Sequence, residues 1–333
     1  MKLFKKLGID LGTANSVVWE AGVGIVLNEP TVVAVGIEDR KVLAVGNEAK
    51  KMMGKTPEYI EVICPMEDGV IADYEVTEAM LKYFLKQVMG AGWFFGPEVM
   101  ICVPAGVTQV EQRAVLDATL AAGAKRAYLI DEPLAAAIGA KIPVSEAHGN
   151  MIMDVGGGAA EAAVIALGGV VTHRGVRTGG KKIDMAIADY LRKKHNMIVG
   201  EQTAENIKIV LGSAIKLKRT ETLEVNGRDS VYGLPKNMSV NSDEIHETIS
   251  PILEQIIKVI KDTLEVTPPE LVADIMDTGI VLSGGTSQLR NFNTLVTREI
   301  GVSAHVAPEP QFCVIKGTGI AIENLETYRR AIR

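Results

Sequence analysis

The 333-residue sequence predicts an α/β protein of two related lobes, each a sheet with a small inserted subdomain, and three observations carry that expectation. An apolar run from residue 151 ends in Asp154, turns over Gly156, Gly157 and Gly158, and leaves as a second apolar run. That pattern is a strand, a tight loop and a returning strand. The same pattern stands earlier, where an apolar stretch leads into Asp10, the turn carries Gly12, Thr13, Ala14 and Asn15, and apolar residues 17–19 follow. An Asp-x-Gly turn given twice points to duplicated lobes that face one another. Third, residues 98–139 alternate strand, helix, strand, helix, which puts a parallel component into the sheet.

The turns also carry chemistry. Three consecutive glycines remove every Cβ from the loop, so a bulky anion can approach the backbone and collect several N–H donors. Phosphate is the anion this arrangement suits. With one such turn in each lobe, a nucleotide would sit between them.

Composition narrows the class further. The net charge of −6 argues against a general nucleic-acid binder, which needs concentrated Lys and Arg. No apolar run reaches the ~20 residues that span a bilayer and no cleavable signal pattern is present, so a cytoplasmic protein is expected. Cys64, Cys102 and Cys313 are odd in number, widely spaced and set among apolar residues, which suits small buried hydrophobes rather than a disulfide or metal framework. The five histidines form no paired metal motif.

In chain order, residues 1–6 alternate Leu3 and Phe4 with Lys2, Lys5 and Lys6, a frayed basic terminus or a short tag for an anionic membrane surface. After the first turn, residues 25–27 and 31–35 read as further strands of a meander. Residues 36–73 form a small mixed subdomain broken by Pro57 and Pro65. Val76, Met80, Phe84 and Val88 recur every four residues and mark an amphipathic helix. Gly92 and Gly96 then bracket Trp93, Phe94 and Phe95, either a satellite core or an aromatic wedge for a lipid interface or a partner groove. A strand to Val103, a helix over 109–122 and a strand over 127–130 follow. Asp131 and Glu132 open an alanine-rich helix. Acids there complement the helix dipole, and at the carboxyl end of a strand they also face a cleft, where one can orient a water.

The second lobe repeats the plan. Gly168-Gly169 reverses the chain, Thr178-Gly179-Gly180 leads into a helix, another helix covers about residues 203–211, and residues 213–240 form a β-rich insertion. Ile245, Ile249, Ile252, Ile256 and Ile260 define a long helix. Thr267-Pro268-Pro269-Glu270 fits a capping box that starts the next one. A strand over 279–282, the loop Ser283-Gly284-Gly285-Thr286 and a helix over 289–300 close the lobe, the Gly-Gly turn suiting close approach of adenosine or phosphate.

GIDLGTAN, the DEPLAAAIGA run, MDVGGGAAEAAVI, GEQTAENIKI, TPPELVADI, VLSGGTSQLRN and IKGTGIAI follow one another across the whole chain, and NEPTVVAVG and PMEDGVIADYEVTEAMLKYF join them. In this order they resemble the motifs of the bacterial actin MreB family, the rod shape-determining proteins. The resemblance implies the actin-like ATPase fold, with duplicated ribonuclease H-like lobes. Lobe I would span 1–140, with a small subdomain at about 30–73 and the segment from about 315 returning to it, and lobe II 141–314, with a small subdomain at about 181–244.

The resemblance also implies roles for single residues. Asp10, Gly12, Thr13, Ala14 and Asn15 match the first phosphate loop, with Asp10 holding Mg2+ through water. Asp154, Gly156, Gly157 and Gly158 match the second. Glu132 matches the acid that positions the attacking water, Glu205 and Lys208 the adenosine-side helix, and Gly284 and Gly285 the adenosine loop. Trp93, Phe94 and Phe95 stand at the family's apolar membrane-touching loop, beside Leu3 and Phe4 as a second candidate anchor. The expected cofactors are ATP and Mg2+. The expected partners are further copies of the chain in filaments, other MreB copies, the inner face of the cell membrane and the cell-wall elongation machinery, with no nucleic acid.

Several positions depart from the family pattern. Ala159 and Ala160 replace two threonines, and losing one preorganised donor of this kind costs roughly 10²–10³ in rate. Lys181 replaces an acid, and Thr286 stands at a third glycine. The sequence therefore predicts a slow or impaired ATPase. Two other classes suit the same residues, a nucleotide-binding scaffold that copolymerises with an active actin and a small-molecule kinase of the same superfamily. A seventy-kilodalton chaperone relative would share the phosphate loops but continue into a peptide-binding domain.

Overall fold

Strands β1 (Lys6–Leu11), β2 (Asn15–Glu20) and β3 (Gly24–Pro30) form the antiparallel meander from which the first lobe grows. The computed structural model describes residues 4–90, 96–329 and 331–333. Leu3, Trp93, Phe94 and Phe95, singled out from the sequence, lie outside the described residues. The chain then leaves this sheet. β4 (Val33–Gly36) pairs with β5 (Val42–Val45) and, beyond helix α1 (Asn47–Met52), with β6 (Ile60–Ile63) in a separate three-stranded sheet. The meander expected to run through residue 35 therefore stops at Pro30. Val33 and Val35 pair with the small sheet's strands and bury their side chains in the main lobe I core, while Val32 and Ala34 pack on Ala49 in a core of the subdomain's own.

A two-stranded hairpin, β7 (Met66–Glu67) and β8 (Val70–Ile71), returns to the main lobe. Helix α2 (Tyr74–Met89) starts where the Asp73 side chain accepts the Val76 N–H, and it buries Val76, Met80 and Phe84 as its four-residue spacing demands. β9 (Glu98–Val103), α3 (Gln109–Ala121), β10 (Arg126–Asp131) and α4 (Glu132–Gly139) complete the lobe. Its sheet order is β10-β9-β1-β2-β3, with β9 and β10 parallel to β1.

Lobe II repeats this layout strand for strand. β11 (Asn150–Val155), β12 (Ala160–Ala166) and β13 (Gly169–Val176) are its meander. An excursion follows through α5 (Gly180–His195), β14 (Met197–Ile198), α6 (Glu201–Leu211), β15 (Thr222–Asp229) and β16 (Pro235–Asn241). The long α7 (Ser242–Glu265), capped reciprocally by Asn241 and Glu244, leads back to α8 (Pro269–Thr278), β17 (Ile280–Ser283), α9 (Phe292–Ile300) and β18 (Ala304–Val306). The sheet order β13-β12-β11-β17-β18, with β17 and β18 parallel to β11, is that of lobe I. This is the duplicated actin-like α/β fold.

Helix α10 (Cys313–Glu323) crosses back and lies on β1, β2 and β9, while α4 packs on β11 and β12 and the two helices pack on each other. Close approach is possible because Gly139 and Gly317 carry no side chain where Cys313 and Ala135 backbone atoms press in. The chain end pairs with β10, Leu129 and Arg333 exchanging backbone hydrogen bonds at 2.9 and 3.0 Å.

Two local expectations are corrected. Thr267 caps no helix: its hydroxyl donates to the Thr263 carbonyl at 2.7 Å and meets the Thr172 hydroxyl at 2.8 Å, leaving Pro268 at the N-cap of α8. Residues 285–288 form a 3-10 turn, so the helix expected from 289 begins at Phe292. Phe4 is half-buried, with the Lys125 ammonium 3.4 Å from its ring centroid.

Candidate functional site

The two Asp-x-Gly turns meet across the gap between the lobes. A Cβ on Gly158 would lie 2.5 Å from the Thr13 hydroxyl, and one on Gly157 would lie 2.9 Å from the Ala14 methyl, so only glycine permits this approach. Thr13 is fixed in turn, its hydroxyl accepting the Gly69 N–H at 3.0 Å from the β7–β8 hairpin. Thr31 donates to the Gly12 carbonyl at 2.6 Å and holds the first turn from behind. Among the described residues, the N–H groups of Gly12, Thr13, Ala14, Gly157, Gly158 and Ala159 find no backbone acceptor. They border a cleft of about 780 Å³.

Carboxylates form the cleft floor. Asp10 and Asp154 are the next-to-last residues of β1 and β11, Glu132 opens α4, and Glu161 stands on β12 directly opposite Asp154 in the register. Burial, then the Asp154 charge, pushes Asp10 up to about 7, against a lowering contact from the Cys102 thiol 3.4 Å away. Burial first, and the Asp154 and Asp131 charges after it, push Glu161 to about 7, although N–H groups of Ala105 and Gly106 favour its charged form. Glu132 is held well above the carboxylate range by burial and then by Glu161, Asp10 and Asp154. Asp154 is raised by burial and partly restored by the Ser283 hydroxyl, which donates to it at 2.6 Å. Four acids so arranged are eased by an incoming cation.

The walls come from lobe II and from the small subdomains. N–H groups of Gly180 and Lys181 donate to the carbonyls of Gly156 and Gly157 at 3.0 and 2.8 Å, and Thr286 donates to Gly156 at 2.8 Å, so three contacts brace the glycine turn. On α6, Lys208 pairs with Asp184 at 2.9 Å. Glu205 on the same helix faces Lys50 of α1 at 3.9 Å, and Gln202 donates to the Lys50 carbonyl at 3.4 Å, which joins the small subdomains over the mouth. Gly284, at φ 85°, and Gly285 complete the far wall.

All fourteen residues that the sequence proposed for a nucleotide site thus border one cleft. The reading missed Glu161, Ser283, Cys102 and Lys50. Glu161 had a visible signal, being the single charge in an otherwise apolar strand. Among the described residues no three acidic, His or Cys side chains converge into a direct metal shell. The residues fit Mg2+ that arrives with phosphates and keeps its waters, since that ion needs few protein ligands.

A family model described as MreB/Mbl protein matches residues 4–330. The chain belongs to the MreB/Mbl family. It is 47% identical over 328 residues to the cell shape-determining protein MreB of Escherichia coli K12, covering 97% of this chain and 94% of that protein. It is 44% identical over 330 residues to the cell shape-determining protein Mbl of Bacillus cereus, covering 99% of each. In structure it is similar to MreB5 of Spiroplasma citri bound to AMPPNP, with a TM-score of 0.93 and 32% identity over 99% of both chains. The double helical filament protein MamK has the same fold, at a TM-score of 0.79 and 22% identity over 96% of this chain and 98% of that one.

Within this MreB/Mbl chain the two alanines of the second turn part company. Ala159 borders the cleft, whereas Ala160 is wholly buried in the lobe II core. A hydroxyl at 160 would face that core, whereas one at 159 would face the cleft. Thr286 commits its hydroxyl to the turn's backbone, at the Gly156 carbonyl.

Proposed function

We propose that this MreB-type actin homologue binds ATP between its lobes and polymerises into membrane-associated cytoskeletal filaments that set rod shape by organising cell-wall synthesis. The observation that carries the nucleotide reading is the meeting of the two glycine turns, Gly158 on Thr13, with free N–H groups from both lobes on one cleft. Donors fixed in advance bind phosphate oxygens without reorganising. Gly12, Thr13 and Ala14 would hold one side of the phosphates and Gly156, Gly157 and Gly158 the other, with Glu205, Lys208, Gly284 and Gly285 around the adenosine. Mg2+, when bound, supplies positive charge to the phosphates; Asp10 would hold it through water, with Asp154 beside it.

Glu132 would orient an attacking water once a bound cation has restored its charge. It does so without a hydroxyl at 159, so binding outlasts turnover and hydrolysis is slow. That defect also favours a second reading, a nucleotide-bound scaffold that copolymerises with an active actin. Further support comes from MreB5 of Spiroplasma citri, described bound to AMPPNP and to ADP.

The test is nucleotide affinity and phosphate release on purified protein, with sedimentation and electron microscopy of the product. ATP binding, slow phosphate release and ATP-dependent filaments are expected. No ATP binding in Mg2+ overturns the nucleotide reading, brisk turnover overturns the slow ATPase, and pelleting regardless of ATP identifies the scaffold. We place the protein at the cytoplasmic face of the inner membrane, anchored by Trp93, Phe94 and Phe95 or by the terminus around Leu3 and Phe4.

A further inference from the structure

Four basic side chains border the cleft, and three already have carboxylate partners. Lys50 faces Glu205 at 3.9 Å, Lys208 is held by Asp184 at 2.9 Å, and Arg290 pairs with Glu221 at 2.8 Å outside the floor. Lys181 is the fourth. Among the described residues no carboxylate lies within ion-pair distance of its ammonium. It is half-buried, in a cleft whose floor holds four acids, yet it pairs with none of them.

Its backbone is tied to the anion-facing turn. Lys181 N–H donates to the Gly157 carbonyl at 2.8 Å and Gly180 N–H to the Gly156 carbonyl at 3.0 Å, so the lysine stem starts one hydrogen bond away from the turn's free donors. Lys181 also lies in the first turn of the sixteen-residue α5, whose first turn carries no acid to absorb the positive end of the helix dipole. A cation there, unpaired and beside uncommitted N–H groups, adds to one positive field facing the cleft. A four-carbon stem lets the ammonium act as a movable point charge for phosphate.

We propose that Lys181 is a phosphate ligand of the bound nucleotide, so that the chain itself meets part of the polyphosphate charge and retains nucleotide when magnesium is withdrawn. This rests on the nucleotide reading of the cleft. It assigns the charge reversal at this position a purpose: a lysine here draws the ligand in, whereas an acid would leave its neutralisation to the divalent ion.

The experiment measures binding of ATP, ADP and adenosine by titration calorimetry, with Mg2+ and with EDTA, to the wild type and to Lys181→Ala, Lys181→Arg and Lys181→Asp. Thermal melting of each variant checks the fold. In EDTA the wild type should bind ATP, Lys181→Ala should bind it roughly ten- to a hundredfold more weakly, and Lys181→Asp more weakly still. Lys181→Arg should keep most of the affinity, and adenosine binding should be the same in all. Equal ATP affinity of wild type and Lys181→Ala in EDTA overturns the proposal while leaving the cleft a nucleotide site. Loss of ATP and adenosine together in Lys181→Ala overturns it in favour of a structural role. A wild type that binds no nucleotide under either condition removes the reading beneath it as well.

Discussion

Glu161 faces Asp154 across the β11–β12 ladder, two carboxylates directly opposite on one surface of the sheet. The same position in lobe I pairs Asp10 with Val17. Duplicated lobes therefore differ at this rung, and lobe II alone sets a second acid opposite its strand-end aspartate. Like charges directly opposite in a ladder are destabilising.

The pH dependence of the nucleotide-free protein follows from that pair. Glu161 sits at about 7 in the fold against its ordinary 4.5, so the native state holds a proton that the unfolded chain has released. Stability from this source is full below about 4.5 and is lost as pH rises through about 7. The thermal midpoint should drop between pH 6 and pH 8. Glu161→Gln keeps an acceptor for the Ala105 N–H, and it should raise the midpoint at pH 8 and flatten the slope. Identical slopes for the two proteins would mean that the floor carries no such charge strain.

Ala159→Thr should raise phosphate release, by up to the roughly 10²–10³ that one preorganised donor supplies. Ala160→Thr should not, because its side chain lies in the lobe II core, and overpacking there should lower the melting temperature. A flat rate in Ala159→Thr would show that the missing hydroxyl is not what limits turnover.

Gly158→Ala should weaken nucleotide binding at least tenfold while leaving each lobe folded. The new methyl meets Thr13, which cannot turn aside without surrendering the Gly69 N–H. Adding Thr13→Ala to that variant should restore part of the affinity by clearing the hydroxyl. Full affinity in Gly158→Ala alone would show that the turns need not touch for the ligand to bind.

Liposome co-pelleting should separate the two candidate anchors. The wild type should sediment with anionic vesicles, and a Trp93/Phe94/Phe95→Ser variant should do so less, because Trp and Phe side chains partition into a lipid interface and Ser does not. Deleting residues 1–4 should have the smaller effect, since Phe4 is already half-covered by Lys125. Equal recovery of all three proteins would exclude both anchors.

The parts of this molecule readable in sequence are those written locally. Asp10 with Gly12, and Asp154 with Gly156, are punctuation inside single strand-turn-strand units, and the repeated phrase foretold the repeated sheet order. Thr267 shows the limit: its spacing from Glu270 satisfies a capping pattern, but Thr172 on β13 and the Thr263 carbonyl take the hydroxyl. No local signal announces that β4 abandons the meander for β6, because strand pairing is decided by distant partners. The Lys50–Glu205 pair joins residues far apart in the chain, and only the closed arrangement of the lobes brings them together.

Gly139 and Gly317 let α4 and α10 cross with their backbones nearly touching, each helix leaning on the other lobe's side of the seam. A crossing that tight leaves no room for a side chain at either glycine, so a methyl at 139 or 317 would drive the two helices apart. Lys50 and Glu205 join the small subdomains at the mouth, away from that crossing. Separating the lobes would therefore cost contacts in two places, at the seam and at the mouth.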